Sequence, residues 1–134
     1  MIVADSSAWI EFLRGSDHPV AEALSDLLRE DADLALTEII VTELLAGATS
    51  DEHLRALRAR LVAFPILRLE GLMDFEEAAL IYRRCRSSGH TLRSMIDCLI
   101  AVPVLRAGAR LLHNDSDFDA IVTCTALEPY LDQG

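Results

Sequence analysis

The chain has 134 residues, is 51% hydrophobic and carries a formal net charge of −10. That length suits one domain (1–134) with a proper core and is too short for two ordinary ones, and the composition excludes a disordered or fibrous chain. The start Met-Ile-Val-Ala-Asp has no basic stretch and no long apolar run, and no segment approaches the roughly 18 apolar residues of a membrane helix. A soluble, cytoplasmic protein without a membrane partner is expected. Cys85, Cys98 and Cys124 are odd in number and form no C-x-x-C pair. They predict neither a zinc site nor a disulfide framework, but a small buried apolar role for each.

Charge is unevenly distributed. The first fifty residues hold ten acids against Arg14 and Arg29, whereas 51–110 hold ten arginines against seven acids, and the rest has five acids and no arginine. A strongly acidic chain is a poor nonspecific nucleic-acid binder. The arginine-rich middle can present a basic rim around an acidic centre, or only solvated helix faces. Phosphate contacts should contribute modest affinity either way.

In chain order, Ile2–Ala4 reads as a short buried strand. Asp5-Ser6-Ser7 caps a helix from Ala8 to Arg14, broken by Gly15-Ser16-Asp17. Pro19–Arg29 is a second helix and Leu34–Leu36 a strand. Glu38–Ala46 is helical and ends at Gly47. Asp51–Ala63 is helical, with Leu54, Leu57, Leu61 and Val62 as its apolar stripe, and Pro65 stops it. Ile66–Leu69 is a strand and Asp74–Arg86 an amphipathic helix. Ser94–Ala107 is almost wholly apolar and should be a central helix, ended by Gly108. Arg110–His113 is a strand, Phe118–Thr123 a short helix, and a weak last strand lies near Thr125–Glu128. Alternating strands and helices imply an α/β fold, a three-layer α/β/α sandwich with a central parallel sheet of four to five strands.

Four acids stand out against this pattern. Asp5 follows the first apolar run. Glu43 sits in Val-Thr-Glu-Leu-Leu, Asp97 in Met-Ile-Asp-Cys-Leu-Ile-Ala, and Asp115 opens Asn-Asp-Ser-Asp-Phe-Asp. A carboxylate in such surroundings must be paired, hydrogen-bonded or bound to a cation. Basic side chains are few in these segments and the chain has no lysine, so a metal is the natural partner. Each acid also has a plain structural reading. Asp5 is a good helix cap, Glu43 a solvated helix residue, Asp115 and Asp117 turn residues, and Ser94-x-x-Asp97 matches a capping box. Ligand sites of open parallel sheets lie beyond the carboxyl ends of strands, where Asp5 and Asp115 fall.

The segments MIVADSSAWI, VTELLAG, GHTLRSMIDCLIA and LLHNDSDFDAI, taken together and in order, resemble the successive motifs of PIN-domain ribonucleases, and most closely VapC-type toxins of bacterial toxin–antitoxin modules. The resemblance spans essentially the whole chain. It implies a PIN fold, RNA cleavage dependent on Mg²⁺ with Mn²⁺ as a substitute, a homodimer, inhibition by a VapB-like antitoxin, and a heterotetramer or larger assembly with it. Carried over residue by residue, it implies Asp5, Glu43, Asp97 and Asp115 as metal-binding catalytic acids, Asp117 as an auxiliary acid and Ser7 as a hydroxyl beside the first acid. Val102-Pro103 departs from the pattern, and Pro103 should kink its helix.

Hard divalent cations take oxygen ligands, can polarise a scissile phosphate and acidify water. Arg93, four residues before Asp97, is a candidate substrate-phosphate contact, and His113 a lesser candidate for a general base. His18, His53 and His90 read as surface or capping residues. A phosphotransfer receiver or a haloacid-dehalogenase-type phosphatase needs a lysine this chain lacks, and a D-x-S-x-S metal site fails at Trp9. The alternative from another class is a catalytically silent acidic metal-binding or protein-interaction module of the same fold.

Overall fold

The computed structural model describes residues 1–132. Five strands, β1 (Ile2–Ala4), β2 (Leu34–Thr37), β3 (Ile66–Leu67), β4 (Arg110–Leu112) and β5 (Glu128–Pro129), form one parallel sheet in the order β3-β2-β1-β4-β5. Seven helices connect them: α1 (Ser6–Leu13), α2 (Pro19–Arg29), α3 (Glu38–Ala46), α4 (Asp51–Leu61), α5 (Leu72–Ser87), α6 (Ile96–Ala107) and α7 (Ser116–Cys124). The chain moves outward from β1 through β2 to β3, then returns to the other side of β1 with β4. Right-handed crossovers running in opposite directions lie on opposite faces of a sheet. That rule puts α1–α4 on one face and α5–α7 on the other, a three-layer α/β/α sandwich. The order reverses between β1 and β4, so the crevice beyond their carboxyl ends is the switch point at which such folds hold ligands.

The core explains why these segments pair. Val3, Ala4, Ala35, Leu36, Leu111 and Leu112 on the three inner strands are almost fully buried, covered by Trp9, Leu24, Ile40, Ile81, Ile100, Phe118 and Ile121 from the helices. Near-continuous apolar strands, without alternation, are what a sheet covered on both faces requires. Helix α6 is central as its composition predicts, with Cys98, Ile100, Ala101, Val102, Pro103 and Val104 all buried. It runs unbroken through Pro103 to Ala107, so Val102-Pro103 does not interrupt it. One missing N–H donor is outweighed by burial along both sides. Its end is set by Gly108, whose φ of 63° is the left-handed conformation expected at a helix C-terminus. Gly47 also follows its helix, but at φ −83°, so it needs no glycine-specific backbone there.

Other expectations are corrected. Helix α6 starts at Ile96 rather than Ser94, because Ser94 Oγ accepts the Ile96 N–H at 3.1 Å in a local turn. Asp97 therefore closes no capping box, and the helix has no side-chain cap. In α4 only Leu57 and Leu61 are buried, whereas Leu54 and Val62 are exposed; the helix touches the core over a narrower arc than its apolar stripe suggests. Cys85 and Cys98 are buried as expected, but Cys124, in the last turn of α7, is only partly so. The last strand is Glu128–Pro129 rather than Thr125–Glu128, because Thr125 Oγ1 turns back onto the Ile121 carbonyl.

The fully buried Ile100 faces the centre of this packing. Ile100→Ala should cost about 2–5 kcal/mol of stability through lost burial and the cavity left behind. Urea unfolding of the two proteins measures it; a loss well under 1 kcal/mol contradicts a central α6.

Candidate metal centre

Three helices begin at the acids. Asp5 directly follows β1, and its backbone N–H continues the sheet by donating to Leu112 O at 2.9 Å. Its side chain caps α1: Oδ2 accepts the Ser7 N–H at 3.1 Å and the Ser7 hydroxyl at 2.6 Å. Asp5 is only 2% exposed, and its other oxygen, Oδ1, is buried with no hydrogen-bond partner. Asp115 follows β4 and caps α7, its Oδ1 accepting the Asp117 N–H at 2.9 Å. Asp97 lies in the first turn of α6, buried. Helix N-termini favour negative charge, so these are sites where acids are tolerated.

Asp97, Asp115 and Asp117 each offer a carboxylate oxygen, and these oxygens lie within 4.8 Å of one another. Asp5 and Glu43 stand outside this closest trio but within its field. The Asp97 carboxyl is pushed up to about 8 by burial first, then by the charges of Asp115, Asp5 and Asp117 and a hydrogen bond to Asp115. Burial also raises Asp5, against its bonds from Ser7, and the Glu43 charge adds to the shift. Glu43 is raised by desolvation, opposed by its hydrogen bond from Ser6, with Asp115 adding repulsion. Asp97, Asp115 and Asp117 thus converge from α6 and the start of α7, and the charges of Asp5 and Glu43 act on the same cluster. The donor set is all oxygen, and an orphaned buried Asp5 oxygen borders it. That is the chemistry of a hard divalent cation.

The supporting residues were less legible. Ser7 is where the first motif puts a hydroxyl, but its role is double: it donates to Asp5 and accepts the Asn114 N–H at 2.9 Å, joining the β1 and β4 ends. Ser6 donates to Glu43 Oε1 at 3.0 Å and fixes the acid from α3; its place beside Asp5 was the available signal. Asp117 Oδ2 accepts the backbone N–H groups of Arg93 (2.9 Å) and Ser94 (3.1 Å), anchoring the loop before α6. Arg93 itself lies over the acids, Nη2 at 2.9 Å from Asp115 Oδ1 and Nε at 3.6 Å from Asp117 Oδ1. His113 is unsuited to be a general base here. Its Nδ1 already accepts the Asp115 N–H at 3.2 Å, it is buried against Phe118, and burial lowers its pKa despite neighbouring Asp119. It shapes the Asp115 turn. His18 caps α2 through Nδ1, and His53 accepts the Thr49 N–H in the turn before α4.

Among the described residues, no helix is long and apolar enough to cross a membrane. The PIN domain family model matches residues 2–122. The chain is 41% identical over 129 residues, 96% of each protein, to Ribonuclease VapC11 of Mycobacterium tuberculosis and to VapC ribonuclease Mb1587 of Mycobacterium bovis. In fold it is similar to the structure of FitAcB from Neisseria gonorrhoeae (TM-score 0.73, 22% identity, covering 98% of this chain and 97% of the other). It is likewise similar to VapBC2 from Rickettsia felis bound to a promoter DNA fragment (TM-score 0.73, 17% identity, covering 98% and 100%). With its acids in the order and places the motifs require, the chain belongs to the PIN-domain family, in its VapC branch.

Proposed function

We propose that this protein is a divalent-metal-dependent endoribonuclease, the toxin of a toxin–antitoxin pair, with Mg²⁺ as its cofactor and Mn²⁺ able to replace it. The observation that carries the reading is the convergence of Asp97, Asp115 and Asp117 oxygens within 4.8 Å beside the buried, unpartnered Asp5 oxygen. The names of the VapC relatives support the ribonuclease activity. Asp5 and Asp97 would be the principal ligands of the cation, with Glu43, Asp115 and Asp117 completing the cluster directly or through water. Bound there, a hard divalent cation supplies Lewis acidity toward a phosphate oxygen and acidifies water for attack. The protein's own part is placement. Ser7 fixes the Asp5 carboxylate, Ser6 fixes Glu43, and Asp117 holds the backbone that leads into Asp97. With its carboxyl raised to about 8, Asp97 would hold a proton at neutral pH in the cation-free protein, and binding of a cation there would release it.

One observation favours the catalytically silent module instead: Arg93 already neutralises Asp115 and Asp117. Cleavage separates the two. Purified protein should cut a subset of cellular RNAs with Mg²⁺ or Mn²⁺ and stop with EDTA. Loss of residues that merely orient metal ligands costs roughly 10–100-fold, so Asp5→Ala and Asp97→Ala should lose about a hundredfold or more while staying folded. Full activity in either variant removes that residue from the site.

The metal-free site also makes a stability prediction. The Asp97 pKa is higher folded than unfolded, so the folded state binds the extra proton. Its contribution is fully present below the unfolded value near 3.9 and fades as pH rises toward about 8. In EDTA the wild-type melting temperature should therefore fall between pH 5.5 and 8.5. Asp97→Asn should flatten the slope and melt higher at pH 8, with excess Mg²⁺ narrowing or reversing the gap. A lower-melting Asp97→Asn at pH 8 in EDTA refutes the repulsion.

We infer a VapB-like antitoxin as partner and a homodimer within a heterotetramer or larger complex. A groove of about 470 Å³ between α1, α3 and α4, with Ile10 and Leu13 at its side, leads to Glu43 and suits an amphipathic segment carrying a basic residue. The neighbouring antitoxin structures support the partner. Leu57, Leu61 and most of α6 are covered within the protomer, Ile96 excepted; the most exposed large apolar side chains among the described residues are Val62, Leu72, Met73, Phe75 and Leu80, which suit a dimer face better. Expression alone should arrest growth and co-expression of the small adjacent reading frame should relieve it. Light scattering of the purified pair should give two toxin chains or a multiple, and a clean one-to-one pair eliminates the homodimer.

A further inference from the structure

Arg93 occupies an unusual place. It is the only arginine forming an ion pair with the five acids among the described residues, and it covers oxygens a metal would use. Asp115 Oδ1 already accepts the Asp117 N–H at 2.9 Å and takes the Arg93 guanidinium at the same distance. Asp117 Oδ2 is committed to two backbone N–H groups, which leaves Oδ1, and Arg93 Nε stands 3.6 Å from it. The same guanidinium reaches Ser116 Oγ at 3.3 Å. Yet the side chain is 72% exposed. Its anchor is its backbone: the N–H bonds to Asp117 and the preceding Leu92 is buried. The Arg93 backbone is held by Asp117 while its ion-paired guanidinium faces solvent.

We propose that Arg93 is an exchangeable positioning residue: it is the counter-ion of Asp115 and Asp117 in the metal-free protein, and a divalent cation displaces it outward to grip the incoming phosphodiester. The inference rests on the metal-nuclease reading above. Two cations cannot share these oxygens without repulsion, so metal and guanidinium compete for them. A displaced guanidinium, still tethered at the rim, has a fork geometry that matches phosphate oxygens. Cation loading thereby turns an acid-bound arginine into a substrate-facing one. On a chain of net charge −10, this supplies a positive group to the substrate only when the acids are neutralised.

The test is Mn²⁺ binding followed by electron paramagnetic resonance at low and high salt, on wild type, Arg93→Ala, Arg93→Lys and Asp97→Asn. An exposed ion pair shifts an equilibrium by no more than roughly fivefold. Arg93→Ala should therefore bind Mn²⁺ about two- to fivefold tighter than wild type, with the difference shrinking at high salt. Its KM for RNA should rise, and the salt dependence of RNA binding should fall by about one counterion. Arg93→Lys keeps the charge and should stay near wild type in Mn²⁺ affinity, while only partly restoring KM because it lacks the fork. Unchanged or weaker Mn²⁺ binding by Arg93→Ala overturns the exchange. Tighter binding with an unchanged KM overturns the transfer to phosphate. Failure of the underlying reading looks different: wild type and Asp97→Asn would then bind Mn²⁺ equally poorly.

Discussion

The structure depends on burying a carboxylate at the end of its central strand. Asp5 leaves β1 where the strand order reverses, almost wholly enclosed. An ionised carboxylate there is costly unless its oxygens are satisfied. The fold satisfies one of them and leaves the other. Oδ2 caps α1 through Ser7, and Oδ1 has no partner. Asp115 and Asp117 divide their tasks in a similar way, Asp115 Oδ1 capping α7 and Asp117 Oδ2 holding the 93–94 backbone. Each acid is thus locked by a structural duty while part of its carboxylate remains for the site. Preorganisation of this kind is what a metal centre requires, since ligand geometry is set before the ion arrives.

The same bonds hold distant segments together. Ser7 Oγ joins α1 to the loop after β4, Ser6 joins α1 to α3, and Asp117 joins α7 to the loop before α6. A substitution at a serine or at Asp117 therefore changes more than one element at once. Much of the repulsion among the acids is absorbed by three helix N-termini, those of α1, α6 and α7, whose partial positive charge faces them. Burial first, and then the charges of Asp115, Asp5 and Asp117, push the Asp97 carboxyl up to about 8.

What the sequence made legible followed from hydrophobic burial. Ile2–Ala4, Leu34–Leu36 and Arg110–His113 read as strands because a sheet covered on both faces has no polar side to show; the last ends one residue earlier, at Leu112. Pro19–Arg29 and Glu38–Ala46 came out with their exact bounds because proline, glycine and acidic first-turn signals mark them. The acids were visible because three of the four interrupt or abut an apolar run. What stayed hidden depended on contacts between segments. Ser94 and Asp97 have the spacing of a capping box, and nothing local says that Asp117, 23 residues beyond Ser94, claims the backbone there instead. Leu54 and Val62 fit an apolar stripe, but how wide an arc of α4 is covered depends on α3, the helix it packs against. Ser6 looked like part of a helix cap, while its partner lies 37 residues away.

The acidity of the chain constrains how it can engage an anionic partner. With no lysine and a net charge of −10, long-range attraction to a phosphate backbone is absent and the general field opposes approach. Under the proposed reading, attraction must be local and conditional, created where a divalent cation reverses the charge of the acid cluster and where nearby guanidiniums are free to act. Recognition then depends on shape and on the few groups at the crevice, rather than on nonspecific affinity. A basic inhibitor faces the opposite situation. Under the proposed reading it would displace Arg93 from Asp115 and Asp117 in the cation-free cluster, and the groove beside Glu43 would supply the burial that charge alone cannot. Under that reading substrate and inhibitor would compete at the same acid cluster, one favoured by the loaded site and the other by the empty one.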